Sequence, residues 1–456
     1  MFEAFVYAER RRRLRDAMGD AVIFIPGHTQ APRNYLANTY EFRQNSHFLY
    51  FGGHALPDLA LLLTPEEEIL FGNEATVDDI VWTGSVATLQ ELAHAIGIKR
   101  VMPLARLPEI LQPLEVHYLP LYRAESVLAL SNWLGKNPKE INANASKRLM
   151  AAVAELRLCK EPREVEQIEW ALEVSADMYD AALGAMYPGA IEQDVMASMT
   201  AAALFHGCTQ SFTPIVTIHG EVLHNHAYGH VMTEESLLLV DSGVETPDGY
   251  ASDITRTFPV SGRFSQRQKE IYEIVLAGQN AAITACRPGV SFAEVHKTAC
   301  RTMAAGLVEL GLLRGHVDDI VEVGAHALFF PHGLGHLLGL DVHDMEDLGD
   351  IAGYESGIRR STQFGLNFLR LNRILRPGMV FTVEPGIYFI PELIQQWHTR
   401  GQVAQFVNYD RVKTYLGFGG IRIEDDVLVT NDGYRILGHR PIPKTVVEVE
   451  SACNRL

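Results

Sequence analysis

Residues 331–344 of this chain have the sequence PHGLGHLLGLDVHD, which places His332, His336 and His343 among glycines and apolar side chains. A single histidine is more often a structural residue than a ligand. Three within the twelve residues 332–343 favour a functional site, because imidazole is a common metal ligand and proton shuttle and glycines let the backbone approach a bound group closely. The segment is not a dinucleotide fingerprint, since that motif requires a strand, a turn and a helix in succession.

Two aspartates lie upstream of this segment, Asp241 in VDSG and Asp253 in SDITRT, with Gly243 and Gly249 between them. A hairpin at these glycines could bring both carboxylates together. Two such charges a few ångströms apart repel by several kcal/mol at a partly buried site, so a shared proton or a cation would have to compensate. Two aspartates in exposed turns remain the alternative on spacing alone.

Two glutamates lie downstream, Glu384 in TVEPG and Glu424 in IRIEDD. The apolar pattern predicts strands over residues 237–240, 379–383 and 420–430, so that each glutamate follows or occupies a strand. A glutamate that points inward from an apolar strand is costly unless it is paired or bound to a metal. Asp425 and Asp426 are expected to be solvated or to support the ligands from behind.

Asp241, Asp253, His336, Glu384 and Glu424 together supply four carboxylates and one imidazole. Four negative charges balance two divalent cations, and hard oxygen ligands with one imidazole suit Mn²⁺ or a similar ion better than a thiolate zinc site does. Between two metal ions about 3.5–4 Å apart, a bridging water loses a proton readily and becomes a nucleophile. The pattern therefore indicates a centre with two divalent metal ions per subunit, and Mn²⁺ is the expected metal.

A helix, a Pro-Gly step and a second helix occur twice, 100 residues apart. The first helix is predicted over residues 161–186 and ends at Pro188-Gly189. The second copy begins at the capping residue Ser265 and ends at Pro288-Gly289, before another helix from Ser291. This spacing hints at an internal duplication, so that carboxylates from two related halves could converge on one site.

The first third of the chain predicts a helix over residues 10–18 and strands over residues 21–25 and 48–51. The basic run at residues 10–13 has acidic neighbours and is interpreted as a solvated helix face. A polar, asparagine-rich stretch at residues 136–146 interrupts the pattern. We place the domain boundary at the end of the following helix, which predicts domains of residues 1–155 and 156–456.

The composition is that of a globular protein with a large core, since 47% of the 456 residues are hydrophobic and 21% are charged. A formal net charge of -17 argues against a nucleic-acid partner. The five cysteines form no close pair, no signal-like segment opens the chain, and no run approaches the roughly 18 apolar residues of a membrane helix. We therefore expect a cytoplasmic protein with no membrane partner.

The five candidate ligands, in this order and in these contexts, resemble the metal-ligand signature of the pita-bread metallopeptidases, peptidase family M24, which includes aminopeptidase P, prolidase and methionine aminopeptidase. The resemblance implies that all five bind metal and that Glu384 shuttles a proton to the leaving nitrogen. It also implies roles for four further residues. His224 in VLHN and His343 would steady the tetrahedral intermediate, His332 would face the substrate, and Arg422 matches the arginine two residues before the last glutamate.

The N-terminal half resembles the N-domain of aminopeptidase P and prolidase, through YEFRQNSHF at residues 40–48 and Pro57-Asp58. Methionine aminopeptidases lack this domain. The implied fold class is α/β (α+β), with a creatinase/aminopeptidase P-like N-terminal domain followed by a pita-bread domain built from two pseudo-twofold halves. A homo-oligomer, either a dimer or a tetramer, is expected from the family.

Two features resemble prolidase, the Xaa-Pro dipeptidase. Arg370, fourteen residues before Glu384, matches the arginine that holds the free carboxylate of a C-terminal proline, a task suited to a guanidinium fork. A long insert also separates Glu384 from Glu424. The sequence therefore predicts hydrolysis of Xaa-Pro dipeptides, with a structural arginine at position 370 as the alternative. The loop at residues 345–361 departs from both subfamilies, which leaves peptide length open.

Two other functions compete with the dipeptidase. An aminopeptidase P would release the first residue from longer Xaa-Pro-Yaa peptides. A non-catalytic binding module of the same fold is disfavoured because all five ligand positions are filled here. Creatinase, which uses the fold without metal, is disfavoured for the same reason. In either enzyme the partners are short proline-containing peptides.

Overall fold

The structure, a computed structural model, describes residues 1–454 of the chain. The described chain divides into two units, the first made of Met1–Arg157 with Met345–Ala352 and the second of Leu158–Asp344 with the chain from Gly353 onward. Within residues 1–454, no helix combines the length and the hydropathy needed to cross a membrane. All five cysteines carry free thiols.

The first unit is built around a five-stranded mixed sheet with the order β6-β5-β4-β1-β7. The central strand β4 is antiparallel to β1 and β5, whereas the outer pairs β1–β7 and β5–β6 are parallel. In chain order the elements up to the end of α7 are α1 (Ala4–Met18), β1 (Val22–Pro26), β2 (Pro32–Tyr35), β3 (Asn38–Thr39), α2 (Ser46–Gly52), β4 (Ala60–Leu63), β5 (Glu68–Gly72), α3 (Val77–Thr83), α4 (Leu89–Ala95), β6 (Arg100–Pro103), α5 (Leu107–Leu111), β7 (Val116–His117), α6 (Ala124–Leu134) and α7 (Lys147–Leu158).

The strand predicted over residues 48–51 is wrong, because these residues lie in helix α2. A short apolar run fits a buried strand and a buried helix equally well. Its cap decides between them. The side chain of Asn45 accepts hydrogen bonds from the backbone N–H groups of His47 and Phe48, and Gly53 ends the helix in the left-handed conformation.

The solvated helix face predicted at residues 10–13 is wrong for half of its members, since Arg10 and Arg11 are buried. Arg11 donates to the backbone carbonyls of Phe51 and Ile96 and pairs with Glu68 at 2.9 Å. The long aliphatic stem of arginine packs against apolar neighbours while its head satisfies carbonyls that would otherwise lack a donor.

The second unit contains the remaining elements, which are α8 (Pro162–Ala185), α9 (Glu192–Phe205), β8 (Thr209–Gln210), β9 (Ile215–Thr217), β10 (Leu237–Ser242), β11 (Val244–Glu245), β12 (Ile254–Pro259), α10 (Gln266–Ala285), α11 (Phe292–Glu309), α12 (Val317–Glu322), α13 (Asp350–Gly353, of which only the last residue belongs here), β13 (Val380–Val383), β14 (Gly386–Tyr388), α14 (Pro391–Arg400), α15 (Tyr409–Lys413), β15 (Gly420–Arg422), β16 (Asp425–Val429), β17 (Tyr434–Ile436) and α16 (Val446–Cys453).

The predicted internal duplication is visible in the backbone hydrogen bonds that follow each Pro-Gly step. Gly189 donates to Met232 at 2.8 Å, and Gly289 donates to Leu375 at 2.9 Å. In return, the N–H of Met232 donates to Ala190 and the N–H of Leu375 donates to Val290, so both halves have the same pair of bonds. Each helix pair, α8–α9 and α10–α11, is therefore fastened in the same way to the segment that leads into its own sheet.

Each half carries a small antiparallel sheet, with the order β12-β10-β9 in the first and β13-β16-β17 in the second. The single strand predicted over residues 420–430 is wrong, because it is two strands, β15 and β16, that pair with β14 and β13 respectively. Between them the backbone N–H of Glu424 donates to Thr255 on β12. The chain changes partner at Glu424, which positions this residue between the two halves.

Candidate metal centre and active site

Asp241 and Asp253 stand on two paired strands of the first half. Asp241 lies near the end of β10, where it is opposite Thr255 of the antiparallel strand β12, and Asp253 immediately precedes β12. Both aspartates are buried. The alternative of two aspartates in exposed turns is therefore excluded.

Glu384 and Glu424 occupy the corresponding positions of the second half. Glu384 directly follows β13 and Glu424 directly precedes β16, its antiparallel partner. The hydroxyl of Thr255 donates to Glu424 Oε2 at 2.6 Å, which links the two halves at the carboxylates themselves. The four acidic residues thus come from equivalent strand ends.

His336 faces the carboxylates with one ring nitrogen. Its Nε2 lies 3.4 Å from Asp253 Oδ2 and 3.7 Å from Glu384 Oε1, while its Nδ1 lies 3.1 Å from the carbonyl oxygen of Leu337. When Nδ1–H donates to this carbonyl, Nε2 is unprotonated and carries a lone pair, which is the form in which imidazole binds a metal. The ring of His343 stacks on that of His336 with a centroid distance of 3.8 Å.

The oxygen and nitrogen atoms of this cluster fit a cation. One ligand atom each from Asp253, His336 and Glu424 lie within 4.8 Å of one another, and all three residues are buried. In the described part of the chain, Asp241 Oδ1 and Asp253 Oδ1 are buried without a hydrogen-bond partner. Buried carboxylate oxygens without donors are costly, so the donor set calls for positive charge between them.

The electrostatics of the cluster agree with this. Burial, together with the negative charges of Asp241 and Asp426, raises the pKa of Asp253 well above its usual value. Burial and the charge of Asp253 raise the pKa of Glu424 in the same way, and burial raises the pKa of Glu384. Burial and mutual repulsion therefore disfavour the charged form of these groups. Two divalent ions would instead balance the charge of all four carboxylates.

The Arg422 guanidinium is bonded directly to the carboxylate of a candidate ligand. It pairs with Asp241 through Nη2, donates to the hydroxyl of Tyr388 at 2.9 Å and donates to Thr255 at 3.1 Å. The Tyr388 hydroxyl also lies 2.8 Å from His332 Nε2. Burial and the charge of Arg422 lower the pKa of His332 to about 3, so this imidazole is neutral.

Tyr388 and Thr255 were not predicted from the sequence. Thr255 could have been, because it lies two residues after Asp253 and side chains two apart on a strand share one face. Tyr388 lies in a buried strand, where a tyrosine hydroxyl usually has a partner, but nothing in the sequence identifies His332 and Arg422 as that partner.

The expectation that Asp425 and Asp426 could be solvated is wrong, since both are buried. Asp426 accepts a hydrogen bond from the backbone N–H of Asp253 at 3.1 Å. Asp425 pairs with Arg256 and Lys444. Burial alone would raise the pKa of Asp425, but these two cations lower it below its usual value. Both aspartates therefore support the candidate ligands from behind, which was the alternative expectation from the sequence.

A cavity of about 920 Å³ joins the predicted residues. All ten line it: His224, Asp241, Asp253, His332, His336, His343, Arg370, Glu384, Arg422 and Glu424. Partial burial and the charge of Arg422 lower the pKa of His224. The other walls include apolar side chains, among them Phe212, Phe364 and Leu393. Leu393 belongs to α14, a helix of the insert between Glu384 and Glu424 that the sequence did not predict.

Comparison with known proteins gives two family matches along the chain. Residues 166–431 match the model of metallopeptidase family M24, and residues 7–118 match that of the aminopeptidase P N-terminal domain. A probable Xaa-Pro aminopeptidase of Aspergillus clavatus is 33% identical over 425 residues, which cover 90% of this chain and 88% of that protein. The Xaa-Pro aminopeptidase of Escherichia coli is 33% identical over 412 residues, or 86% and 85% of the two chains.

Solved structures agree along nearly the full length. The Pseudomonas aeruginosa aminopeptidase PepP superposes with a TM-score of 0.82 at 31% identity, over 99% of this chain and 98% of that one. Zinc-substituted aminopeptidase P of Escherichia coli, in complex with product, gives a TM-score of 0.81 at 30% identity over the same shares. The predicted fold class is confirmed, with an aminopeptidase P-type N-terminal domain and a pita-bread domain. These matches imply divalent metal ions at the centre, and the chain belongs to metallopeptidase family M24.

Proposed function

We propose that this protein is a metal-dependent Xaa-Pro aminopeptidase, which releases the N-terminal residue from peptides whose second residue is proline. The observation that carries the proposal is the convergence of four carboxylates and His336 in one cavity of a chain that resembles Xaa-Pro aminopeptidases over about nine-tenths of its length. Proline requires a dedicated peptidase because its nitrogen carries no N–H for an ordinary substrate-binding site to recognise.

In this proposal Asp241, Asp253, His336, Glu384 and Glu424 hold two divalent ions, and Mn²⁺ suits their hard oxygen donors. Bound there, the ions would supply an activated water and polarise the scissile carbonyl.

The side chains around the centre have three tasks. Glu384, which borders the cavity, carries a proton to the leaving proline nitrogen. His224 and His343 donate hydrogen bonds to the developing oxyanion. Arg422 holds Asp241 in place through their ion pair, and His332, fixed by Tyr388, contacts the substrate.

We also propose the finer features expected from the sequence. These are domains of residues 1–155 and 156–456, a homo-oligomer, short peptides rather than nucleic acids as partners, and a cytoplasmic location. The division of contacts between Arg157 and Leu158 supports the domain boundary. The net charge of -17 supports the exclusion of nucleic acids.

The dipeptidase predicted from the sequence is the second candidate. Its support is Arg370, which lines the cavity with an exposed side chain and could bind a free carboxylate. The similar proteins favour the aminopeptidase, since those of Aspergillus clavatus and Escherichia coli are both named Xaa-Pro aminopeptidases.

Peptide length separates the two candidates. The metal-loaded enzyme should cleave Ala-Pro-Ala with a kcat/KM at least about tenfold above that for Ala-Pro, a difference of about 1.4 kcal/mol in transition-state binding. Gly-Ala-Ala serves as the control that proline is required. Preferential cleavage of Ala-Pro would establish the dipeptidase, and cleavage of neither would contradict both.

A further inference from the structure

A second cluster of metal-binding side chains lies outside the active-site cavity, at the base of the segment that leads to His332. It contains His296 and Cys300, which are four residues apart and therefore on one face of α11. It also contains His326, in the short 3-10 turn Ala325–Leu328 that packs against α11. All three residues are at least nine-tenths buried.

The spacing of the three side chains is that of ligands around one ion. One nitrogen or sulfur atom from each lie within 4.8 Å of one another. His296 Nε2 is 3.4 Å from Cys300 Sγ. A metal with sulfur at about 2.3 Å and nitrogen at about 2.0 Å places those two atoms roughly 3.5–3.7 Å apart for tetrahedral or trigonal angles. The observed hydrogen-bonded separation is within about 0.3 Å of that distance, so an ion could replace the S–H proton with little movement.

Each imidazole has one ring nitrogen that no hydrogen bond within the described residues satisfies. In the part of the chain that the structure describes, His296 Nδ1 and His326 Nδ1 are buried without hydrogen-bond partners. The ring of His326 is hydrogen-bonded to the backbone of Ile320. A histidine that donates one N–H to a backbone carbonyl and leaves its other nitrogen free has the arrangement of a metal-bound histidine.

The protonation states suit metal binding at neutral pH. Burial lowers the pKa of His296 to about 3 and that of His326 to about 4, so both imidazoles are neutral and carry a free lone pair. Burial raises the pKa of the Cys300 thiol, which therefore stays protonated until a cation displaces its proton.

Charge balance selects the ion. One thiolate and two neutral imidazoles carry a single negative charge, which a monovalent ion cancels and a divalent ion would leave as a buried positive charge. The ionisable groups that act on the pKa of His296 and Cys300 are His326, His332, Lys297 and Arg301, and none of them is a carboxylate. A soft monovalent ion fits this charge, and Cu⁺ prefers thiolate and imidazole ligands.

We propose that His296, Cys300 and His326 form a second metal site, separate from the dinuclear centre, that binds one Cu⁺ ion per chain. On binding, the Cys300 S–H bond breaks, a copper–sulfur bond forms and one proton leaves to solvent, without change of oxidation state. The ion joins α11 to the turn at residues 325–328. The ring of Phe330, which follows, contacts both His296 and His332, with centroids 5.5 Å and 4.8 Å away.

The test is a titration of the full-length, Mn²⁺-loaded protein with Cu⁺, held under anaerobic conditions in competition with a chromophoric Cu⁺ chelator. We expect one equivalent bound by the wild type and by Cys286→Ser, whose buried thiol bonds only the carbonyl of Ala282 among described residues. In Cys300→Ala and His326→Ala the affinity should fall more than about 100-fold, because even outer-shell partners of a metal contribute roughly 10–100-fold. Binding should also raise Tm only where the site is intact.

X-ray absorption at the copper edge of the unmutated protein keeps the test decisive if a variant fails to fold. One sulfur and two nitrogen neighbours support the site. A shell of oxygen ligands, no tight binding, equal binding by the Cys300→Ala protein, or displacement by equimolar Zn²⁺ would overturn it. The proposal does not depend on peptidase activity, which is measured separately on Ala-Pro-Ala.

Discussion

Individual side chains of the candidate centre are held by partners that are themselves fixed. Arg422 bonds Asp241, Tyr388 and Thr255 at once, and Thr255 in turn donates to Glu424. A guanidinium with three fixed partners loses little further freedom when substrate binds. We infer that Arg422 positions the ligands more than it contacts the peptide.

Arg370 is the residue on which the preference for peptide length is expected to depend. It lines the cavity and is exposed, so a substrate carboxylate can reach it. Arg370→Ala should raise KM for Ala-Pro at least about tenfold, since a hydrogen bond to a charged group contributes about 1.5–3 kcal/mol, with a smaller rise for Ala-Pro-Ala-Ala. Steady-state kinetics on both peptides checks this.

The matched control is Arg359→Ala, which removes a nearby exposed arginine outside the cavity lining. It should leave both KM values unchanged. An equal effect of Arg370→Ala on short and long peptides would rule out a carboxylate-binding role.

The site residues differed in how far the sequence could predict them. Asp241, Glu384 and Glu424 were predictable because an acidic residue beside an apolar strand has few explanations other than a metal or a buried pair. Tyr388 was not, because tyrosine is an ordinary residue in buried strands. Its importance comes from contacts with His332 and Arg422, which are 56 and 34 residues away in sequence.

At the scale of elements, the histidine-bearing segment runs antiparallel alongside β13. Leu338 donates to Val380, Thr382 to His336, and Glu384 to Leu334, at 2.8–3.1 Å. This ladder brings His336 alongside Glu384. Gly335 allows it, because a Cβ at this position would lie 1.9 Å from the carbonyl oxygen of Thr382.

Gly335→Ala should therefore force the segment away from β13. Overpacking of this kind costs about 1–3 kcal/mol of unfolding free energy, and a displacement of His336 by about 1 Å should lower kcat about 100-fold. Denaturant unfolding and peptidase assays measure the two effects. Gly433→Ala, where a Cβ meets nothing within 4 Å, should change neither. Full activity in the Gly335→Ala protein would contradict the role of this close contact.

The element errors share a physical cause. The run at residues 48–51 became a helix because of its cap at Asn45, and the strand over residues 420–430 broke because its two halves pair with different strands. Periodicity reports which residues are buried, but it does not report which partner covers them. Helix α14 was missed for a related reason, since its buried face is only Ile394 and Trp397.

At the scale of the whole molecule, the centre reflects the internal repeat. Asp241 follows Met232 by nine residues, and Glu384 follows Leu375 by nine residues, where Met232 and Leu375 make equivalent bonds to the two Pro-Gly steps. Asp253 and Glu424 each directly precede a strand. Two copies of one carboxylate-bearing unit thus supply the four acidic candidate ligands, which explains why residues far apart in sequence converge.

Metal removal should destabilise the protein in a pH-dependent way. Burial raises the folded-state pKa of Asp253, Glu384 and Glu424 above their unfolded values of about 4. The contribution of these groups to the unfolding free energy of the metal-free protein is therefore fully present below about pH 4. It is lost as pH rises through the raised pKa values. Bound metal removes that loss, so the Tm difference between Mn²⁺-loaded and EDTA-treated protein should grow from pH 5 to pH 8.

Thermal unfolding of both forms across this range measures the effect. The double variant Asp253→Asn, Glu424→Gln should show almost no metal-dependent change in Tm, because it lacks two of the ligands. A Tm difference in the wild type that is constant or shrinks with rising pH would contradict the charge balance described here.

The central claim is that Asp241, Asp253, His336, Glu384 and Glu424 bind a pair of divalent ions. The most direct measurement is anomalous diffraction at the manganese edge from crystals of the Mn²⁺-loaded protein. We predict two anomalous peaks about 3.5–4 Å apart, with the five side chains together supplying the ligands of the pair. No peak among them, or manganese bound only elsewhere in the molecule, would contradict the account.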